Sequence, residues 1–323
     1  MKIFSDTQFS DLALGLLEHE IEALGHELIF PHELQTSVLA QGADDPSFTD
    51  AEIAFGQPDE KSVLTNDNLE WVHLTSAGYT RYDTPKFRAA AKARGLILTN
   101  SSSVYAEACA EHVFAFMLAQ CRQLPWALSS RVASGTEEWL ELRNAAPLLR
   151  DQQVLILGYG AIATRLAAML KPFGNTVVAL RRHPRGDEVV KTIALDQLDS
   201  ALAKADHVVN ILPENEGSRG FFSAARFAAM KEGAVFYNIG RGATVDQDAL
   251  AAALGSGDLA AAWLDVTTPE PLPDDHPLRG LANCYITPHT AGGQRAESEA
   301  LVVHFLGNLR KFTAGEELVD RVM

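Results

Sequence analysis

Two rhythms of apolar residues run along this chain. Short apolar runs bounded by Gly, Pro, Asp or Asn predict strands, and longer stretches with an apolar residue every third or fourth position predict helices. Over the first hundred residues, Lys2–Phe4, Glu27–Phe30, Ala51–Phe55, Trp71–Leu74 and Leu96–Thr99 read as strands. Between them, Asp11–Leu24, stopped by Gly25, and Pro85–Arg94 read as helices. A long helix is expected over Ser101–Leu124, with Val104, Ala108, Val113, Phe116, Met117 and Ala119 as its apolar body. His112 lies in that body beside Glu111 and reads as a structural histidine. Residues 125–150 hold Pro125, Trp126, Trp139 and Pro147 without a clear period and read as an arm or loop. Tryptophans in such an arm point to a subunit contact.

The pattern sharpens after Gln153. Val154–Leu157 is a wholly apolar strand, Ile162–Phe173 a helix stopped by Gly174, and Thr176–Leu180 a second strand. Further strands are expected at His207–Leu212, Ala234–Ile239, Ala261–Val266 and Cys284–Thr287. A last helix, Ala296–Phe312, carries Ala300, Leu301, Val303, His304, Phe305 and Leu309 on one face. With no strand after it, this helix is expected to return to the first part of the chain. The alternation predicts the α/β class: a doubly wound Rossmann-type sheet plus a smaller α/β domain with parallel strands.

Composition narrows the partners. A length of 323 residues exceeds one ordinary core, so two domains are expected. The net charge of −15 would repel phosphate, which disfavours nucleic acid and anionic membranes. No apolar run reaches membrane-span length, and Met1–Phe4 leads directly into a strand rather than a signal peptide. Cys109, Cys121 and Cys284 form no disulfide framework and no metal-ligand spacing, so a cytoplasmic protein with reduced thiols and no metal site is expected.

Chemistry enters through the loops that follow the predicted strands. Gly158-Tyr159-Gly160-Ala161-Ile162-Ala163 falls between a strand and a helix, the context a dinucleotide fingerprint requires. Tyr159, Gly160, Ala161 and Ile162 would then lie against a pyrophosphate at the helix N-terminus. About twenty residues on, where an NAD site places an acid, stand Arg181 and Arg182, with His183 and Arg185 beyond. Guanidinium groups there favour a 2′-phosphate, and hence NADP(H) over NAD(H). Arg241, Glu270 and His289 each follow an apolar run, so the carboxyl edge of one sheet would collect all three. Together they can hold a carboxylate, polarise a carbonyl and move a proton. In that reading Arg241 bridges carboxylate and carbonyl oxygen, His289 is the general acid, and Glu270 orients His289 and stabilises the imidazolium. The backbone N–H groups of Ala77 and Gly78, in the turn Thr75-Ser76-Ala77-Gly78, can take the other carboxylate oxygen.

From about residue 70 to residue 293 the chain resembles the D-isomer-specific 2-hydroxyacid dehydrogenase family, which includes glyoxylate/hydroxypyruvate reductases and phosphoglycerate dehydrogenases. The motifs are Ser76-Ala77-Gly78, Asn100 with Ala110-Glu111-His112, Gly158–Ala163, Leu212-Pro213 and Asn238-Ile239-Gly240-Arg241-Gly242. Leu264-Asp265-Val266, Glu270-Pro271-Leu272 and Thr287–Gly293 complete them. The resemblance implies catalytic roles for Arg241, Glu270 and His289, with Asp265 near the nicotinamide. It implies cofactor contacts from Leu212, Pro213, Ile239, Gly240, Arg241, Asp265, His289, Ala291 and Gly292. Substrate contacts would come from Ala77, Gly78, Arg241 and His289, and the chain would form a homodimer. It also implies a discontinuous, flavodoxin-like substrate domain (residues 1–101 and 292–323) beside a dinucleotide domain (residues 102–291), with a cleft between. Departures are Thr80 in place of an acid, Glu214-Asn215 and Ser218 in place of a threonine-rich turn, and Arg181 in place of the ribose-binding acid.

The expected reaction is hydride transfer from NADPH to a small 2-keto acid. Two alternatives stay open: a related oxidoreductase on another small acid such as phosphite, or a catalytically idle redox-sensing corepressor. Glu270 beside His289 disfavours a formate-type relative.

Overall fold

The computed structural model describes residues 1–37, 40, 42–184, 186 and 188–323. Two compact units make up the chain: Met1–Tyr105 with Gly293–Met323, and Ala106–Gly292.

The first unit opens with β1 (Lys2–Ser5), α1 (Asp11–Ala23), β2 (Glu27–Ile29), β3 (Ile53–Gly56) and α2 (Glu60–Thr65). It continues through β4 (Trp71–Leu74), α3 (Pro85–Arg94) and β5 (Ile97–Thr99). All strands are parallel, in the order β2-β1-β3-β4-β5, the flavodoxin-like arrangement. Ser10 caps α1 and Thr84 caps α3, each accepting a first-turn N–H. Helix α2, a single polar turn between Asp59 and Asn66, carries too few apolar positions to be predicted from periodicity.

The chain crosses from the first unit to the second within α4 (Ser102–Cys121). Beyond it the expected loop is in fact two short helices, α5 (Leu124–Ser129) and α6 (Glu137–Ala145). Pro125 occupies the first turn of α5 and the Thr136 hydroxyl caps α6. Neither helix buries a residue, which is why no apolar period marks them.

The second unit continues with β6 (Gln153–Leu157), α7 (Ala161–Leu170), β7 (Thr176–Leu180), β8 (Lys191–Ile193), α8 (Leu198–Leu202), β9 (His207–Asn210) and α9 (Ala224–Ala228). Then come β10 (Ala234–Asn238), α10 (Gln247–Ser256), β11 (Leu259–Leu264), α11 (Pro277–Gly280) and β12 (Cys284–Ile286). Seven parallel strands lie in the order β12-β11-β10-β9-β6-β7-β8. The sequence predicts six of them; the edge strand β8, Lys191-Thr192-Ile193, holds a single apolar residue, so no apolar run marks it. Leu155, Leu157, Val208, Phe236 and Leu264 are among the residues that build the core on one face.

After Gly293, α12 (Glu297–Ala314) belongs to the first unit. Phe305 stacks on Phe55 at 4.2 Å between ring centres and on Trp71 at 5.3 Å. The buried stripe is Leu301, Val302, Phe305, Leu306 and Leu309. Val303, expected on that face, is 58% exposed because the stripe falls at positions 301, 302, 305, 306 and 309. The end of the chain runs antiparallel along β5, where the Val322 N–H donates to Leu98.

Candidate active site

Because every strand of the seven-stranded sheet is parallel, the loops after β6, β7, β9, β10, β11 and β12 all leave one edge. Strand order reverses between β6 and β9, so the glycine loop after β6 opens at the topological switch point. Gly158 has φ +102° and Gly160 stands where α7 begins, without any side-chain cap. Among the described residues, the first-turn N–H groups of α7 therefore lack side-chain acceptors, and nothing lies within 4 Å of where a Gly160 Cβ would be. An uncapped helix N-terminus with open space at its lip fits a pyrophosphate.

At the end of β7, the Arg181 Nη1 donates to Glu188 Oε1 at 2.7 Å. The Arg181 guanidinium also lies 5.4 Å from the centre of the Tyr159 ring, whose hydroxyl accepts the Val189 N–H at 3.0 Å. Arg182 and His183 are exposed. Arg185 lies outside the described residues.

The turn after β10 hangs on a buried amide pair. Asn210 Nδ2 donates to Asn238 Oδ1 and to the Thr244 hydroxyl, while the Gly240 N–H donates to Asn238 Oδ1. The backbones approach so closely that a Cβ on Gly242 would sit 2.0 Å from the Thr267 carbonyl, and one on Gly240 2.7 Å from the Leu212 carbonyl oxygen. Only glycine allows both approaches, and between them Arg241 is presented with its Nη1 donating to the Gly240 carbonyl at 2.6 Å. Leu212, following β9, is half-buried alongside, and Pro213 after it is exposed. Burial pulls the Arg241 guanidinium below its ordinary value, opposed by the negative charges of Glu270 and Glu214.

Glu270 and His289 meet directly. Glu270 Oε2 lies 2.9 Å from His289 Nδ1, while its Oε1 accepts the Thr267 N–H at 3.0 Å. A carboxylate accepts, so Nδ1 carries the proton of this hydrogen bond. Among the described residues, His289 Nε2 has no partner. His289 takes φ +53°, a left-handed conformation that costs a non-glycine residue energy unless its surroundings enforce it.

Asp265 enforces it. Its buried carboxylate accepts the Thr287 hydroxyl at 2.6 Å, the Thr290 N–H at 2.8 Å and the Ala291 N–H at 2.9 Å, while its carbonyl accepts the His289 N–H at 2.9 Å. His112 Nε2 approaches the same group, 3.3 Å from the Thr287 hydroxyl and 3.7 Å from Asp265 Oδ1. Burial lowers the pKa of His112 and the Asp265 charge opposes that shift. Sequence reasoning takes Asp265 for a cofactor neighbour and His112 for a structural residue. Their shared hold on the Thr287–Ala291 turn is absent from that reading, because it spans contacts far apart along the chain.

Ala77 and Gly78 lie in the first unit, after β4. Asn100 Nδ2 donates to the Ala77 carbonyl at 2.7 Å, and Ser76 Oγ donates to the Gly78 carbonyl at 2.6 Å. Gln57 Nε2 donates in turn to Ser76 Oγ at 2.9 Å. Among the described residues neither the Ala77 nor the Gly78 N–H has an acceptor.

Residues 114–291 match the family described as D-isomer specific 2-hydroxyacid dehydrogenase, NAD binding domain. The chain belongs to the D-isomer-specific 2-hydroxyacid dehydrogenase family. This dehydrogenase is 35% identical over 229 residues to the Homo sapiens glyoxylate reductase/hydroxypyruvate reductase, covering 70% of each chain. It is 38% identical over 228 residues to the glyoxylate/hydroxypyruvate reductase B of Citrobacter koseri, covering 68% of each. The Sinorhizobium meliloti NADPH-dependent glyoxylate/hydroxypyruvate reductase, solved with NADP and malonate, superposes with TM-score 0.72 at 25% identity, over 99% of this chain and 96% of that one. The dehydrogenase is therefore an NAD(P)-dependent oxidoreductase acting on the CH–OH group of its donors. Among its described residues, no helix is long and apolar enough to cross a membrane.

Proposed function

We propose that this dehydrogenase reduces small 2-keto acids of the glyoxylate and hydroxypyruvate kind to 2-hydroxy acids, of the D configuration where the product is chiral, with NADP(H) preferred over NAD(H). The observation that carries the reading is the 2.9 Å contact between Glu270 and His289, with a half-buried arginine in a glycine turn, Arg241, whose charge interacts with Glu270. The names of the human, Citrobacter and Sinorhizobium relatives support the same substrate class.

Tyr159, Gly160, Ala161 and Ile162 hold the pyrophosphate at the start of α7, and Arg181 with Arg182 hold a 2′-phosphate. Leu212, Pro213, Ile239, Gly240, Asp265, Ala291 and Gly292 border the remainder of the cofactor. When bound, the dihydronicotinamide supplies the hydride. Arg241 pairs with the keto acid carboxylate and donates to its carbonyl oxygen, a task suited to a planar fork of donors. The free N–H groups of Ala77 and Gly78 donate to the carboxylate. His289 gives the Nε2 proton to the carbonyl oxygen as the carbon is reduced, and Glu270 fixes the ring through Nδ1. The exposed apolar residues of the segment after α4 (Leu124, Trp126, Leu128, Leu140 and Leu148) support a homodimer, and a cytoplasmic site of action is proposed with it.

The test is cofactor oxidation over glyoxylate, hydroxypyruvate, pyruvate, bulkier keto acids and phosphite, each with NADPH and NADH. Turnover of the small keto acids with NADPH is expected. Activity on phosphite alone, or tight cofactor binding with no turnover of any acid, would favour the alternatives. Arg241→Ala should lower kcat/KM by roughly a thousandfold or more while changing cofactor affinity by less than about threefold. Unchanged turnover would remove Arg241 from the mechanism.

A further inference from the structure

The corner that would meet the adenosine end of the cofactor contains an anion as well as cations. Glu188, on the segment between β7 and β8, keeps its side chain only 3% exposed while pairing with Arg181, whose side chain is 20% exposed. Its second oxygen is held by the Gly186 N–H at 2.7 Å, and the neighbouring Val189 N–H is fastened to the Tyr159 hydroxyl. The carboxylate therefore sits on the inner side of the guanidinium, anchored by backbone, and cannot leave without stranding a buried charge. An arginine paired in this way offers a 2′-phosphate its outer edge but less positive potential than an unpaired one.

We propose that Glu188 is a selectivity residue for the cofactor: its carboxylate holds Arg181 as an internal stand-in for the 2′-phosphate and narrows the difference in affinity between NADPH and NADH. This inference rests on the NADP(H) reading given above. With NADH, which lacks the phosphate, Glu188 neutralises Arg181 and the corner stays paired. With NADPH, the phosphate and the carboxylate share one guanidinium, and Arg182 supplies the additional positive charge. The competing possibility is that the ion pair only fastens the β7–β8 segment. The two differ in outcome, because Glu188→Gln keeps an acceptor for Arg181 and removes only the charge.

The experiment is equilibrium titration of NADPH and NADH, followed by nicotinamide fluorescence, against the unmutated chain, Glu188→Gln, Arg181→Ala and the double variant. Melting temperatures are taken in parallel. Glu188→Gln should tighten NADPH about tenfold and leave NADH within about twofold. In the Arg181→Ala background the same substitution should tighten NADPH by clearly less than it does beside Arg181 and leave NADH within about twofold, since only direct charge repulsion remains once the shared guanidinium is gone. Glu188→Ala should move NADPH in the same direction, which keeps the test open if the glutamine variant folds poorly. Equal weakening of both cofactors by Glu188→Gln, in a protein that still prefers NADPH, would show a fastening role and overturn the inference alone. If the unmutated chain binds both cofactors equally and Arg181→Ala weakens them alike, the NADP(H) reading itself fails, and this inference with it.

Discussion

The turn carrying His289 and the turn carrying Ala77 and Gly78 each follow a parallel strand, yet they are held by opposite means. Beneath the first lies a buried carboxylate, Asp265, accepting one hydroxyl and two backbone N–H groups. Beneath the second lie neutral groups, the amides of Asn100 and Gln57 and the Ser76 hydroxyl. The difference follows the charge each turn is proposed to serve. Asp265 fixes the backbone that presents the His289 ring, whereas an anion under backbone donors would repel a substrate carboxylate. Asp6 stands behind Gln57 and accepts its N–H at 2.9 Å. Burial pushes the Asp6 carboxyl up to about 6, so its negative charge is disfavoured on that side.

The comparison breaks most visibly at Asp265. Asp265→Asn keeps the volume but turns one of the two acceptor oxygens into an NH2 donor and removes the charge. At least one of the three donors then loses its acceptor and the rest are weakened, each bond to a charged group contributing about 1.5–3 kcal/mol. Reduction of the keto acid should slow by roughly a hundredfold, with a lower melting temperature, as the left-handed His289 loses its support. Full activity in this variant would mean that the turn holds itself. A smaller effect is expected at Asn100. Asn100→Ala frees the Ala77 carbonyl and should raise KM for the keto acid by about tenfold while kcat changes less. A fall in kcat with KM unmoved would argue against carboxylate binding by that turn.

The smallest effect concerns pH. The folded-state pKa of Asp6 lies above its ordinary value of 3.8, so the native chain holds a proton that the unfolded chain releases. Stability from this group is complete below that ordinary value and is lost as pH rises through about 6. Asp6→Asn should therefore be the more stable protein at about pH 8, by no more than roughly 3 kcal/mol, and the gap should close towards about pH 4. Urea unfolding of both proteins across that range gives the answer, and parallel curves would deny the burial cost.

Much of this architecture is legible in the sequence where burial imposes a period. Val154–Leu157, the glycine loop and the helix after it announce themselves because a strand buried on both faces and a helix packed on it leave little freedom of composition. Helices α5 and α6 bury nothing, and β8 has one apolar residue, so none of the three leaves a pattern to read. Arg241, Glu270 and His289 are legible as strand-end residues. Their supports are not, since Asp265 reaches the Thr287–Ala291 turn across more than twenty residues and His112 comes from another element altogether. Glu188 escapes for the same reason: seven residues from Arg181 in a loop, it carries no periodic signal, and only coordinates reveal the pairing.

His289 is the proposed proton donor, and single-turnover kinetics of His289→Gln test that role most directly. With NADPH already bound and hydroxypyruvate added, loss of nicotinamide fluorescence should be slower than in the unmutated chain by about a hundredfold to ten-thousandfold, while NADPH affinity stays within about threefold. A rate within about fivefold of the unmutated chain would contradict the assignment and leave the proton to another group.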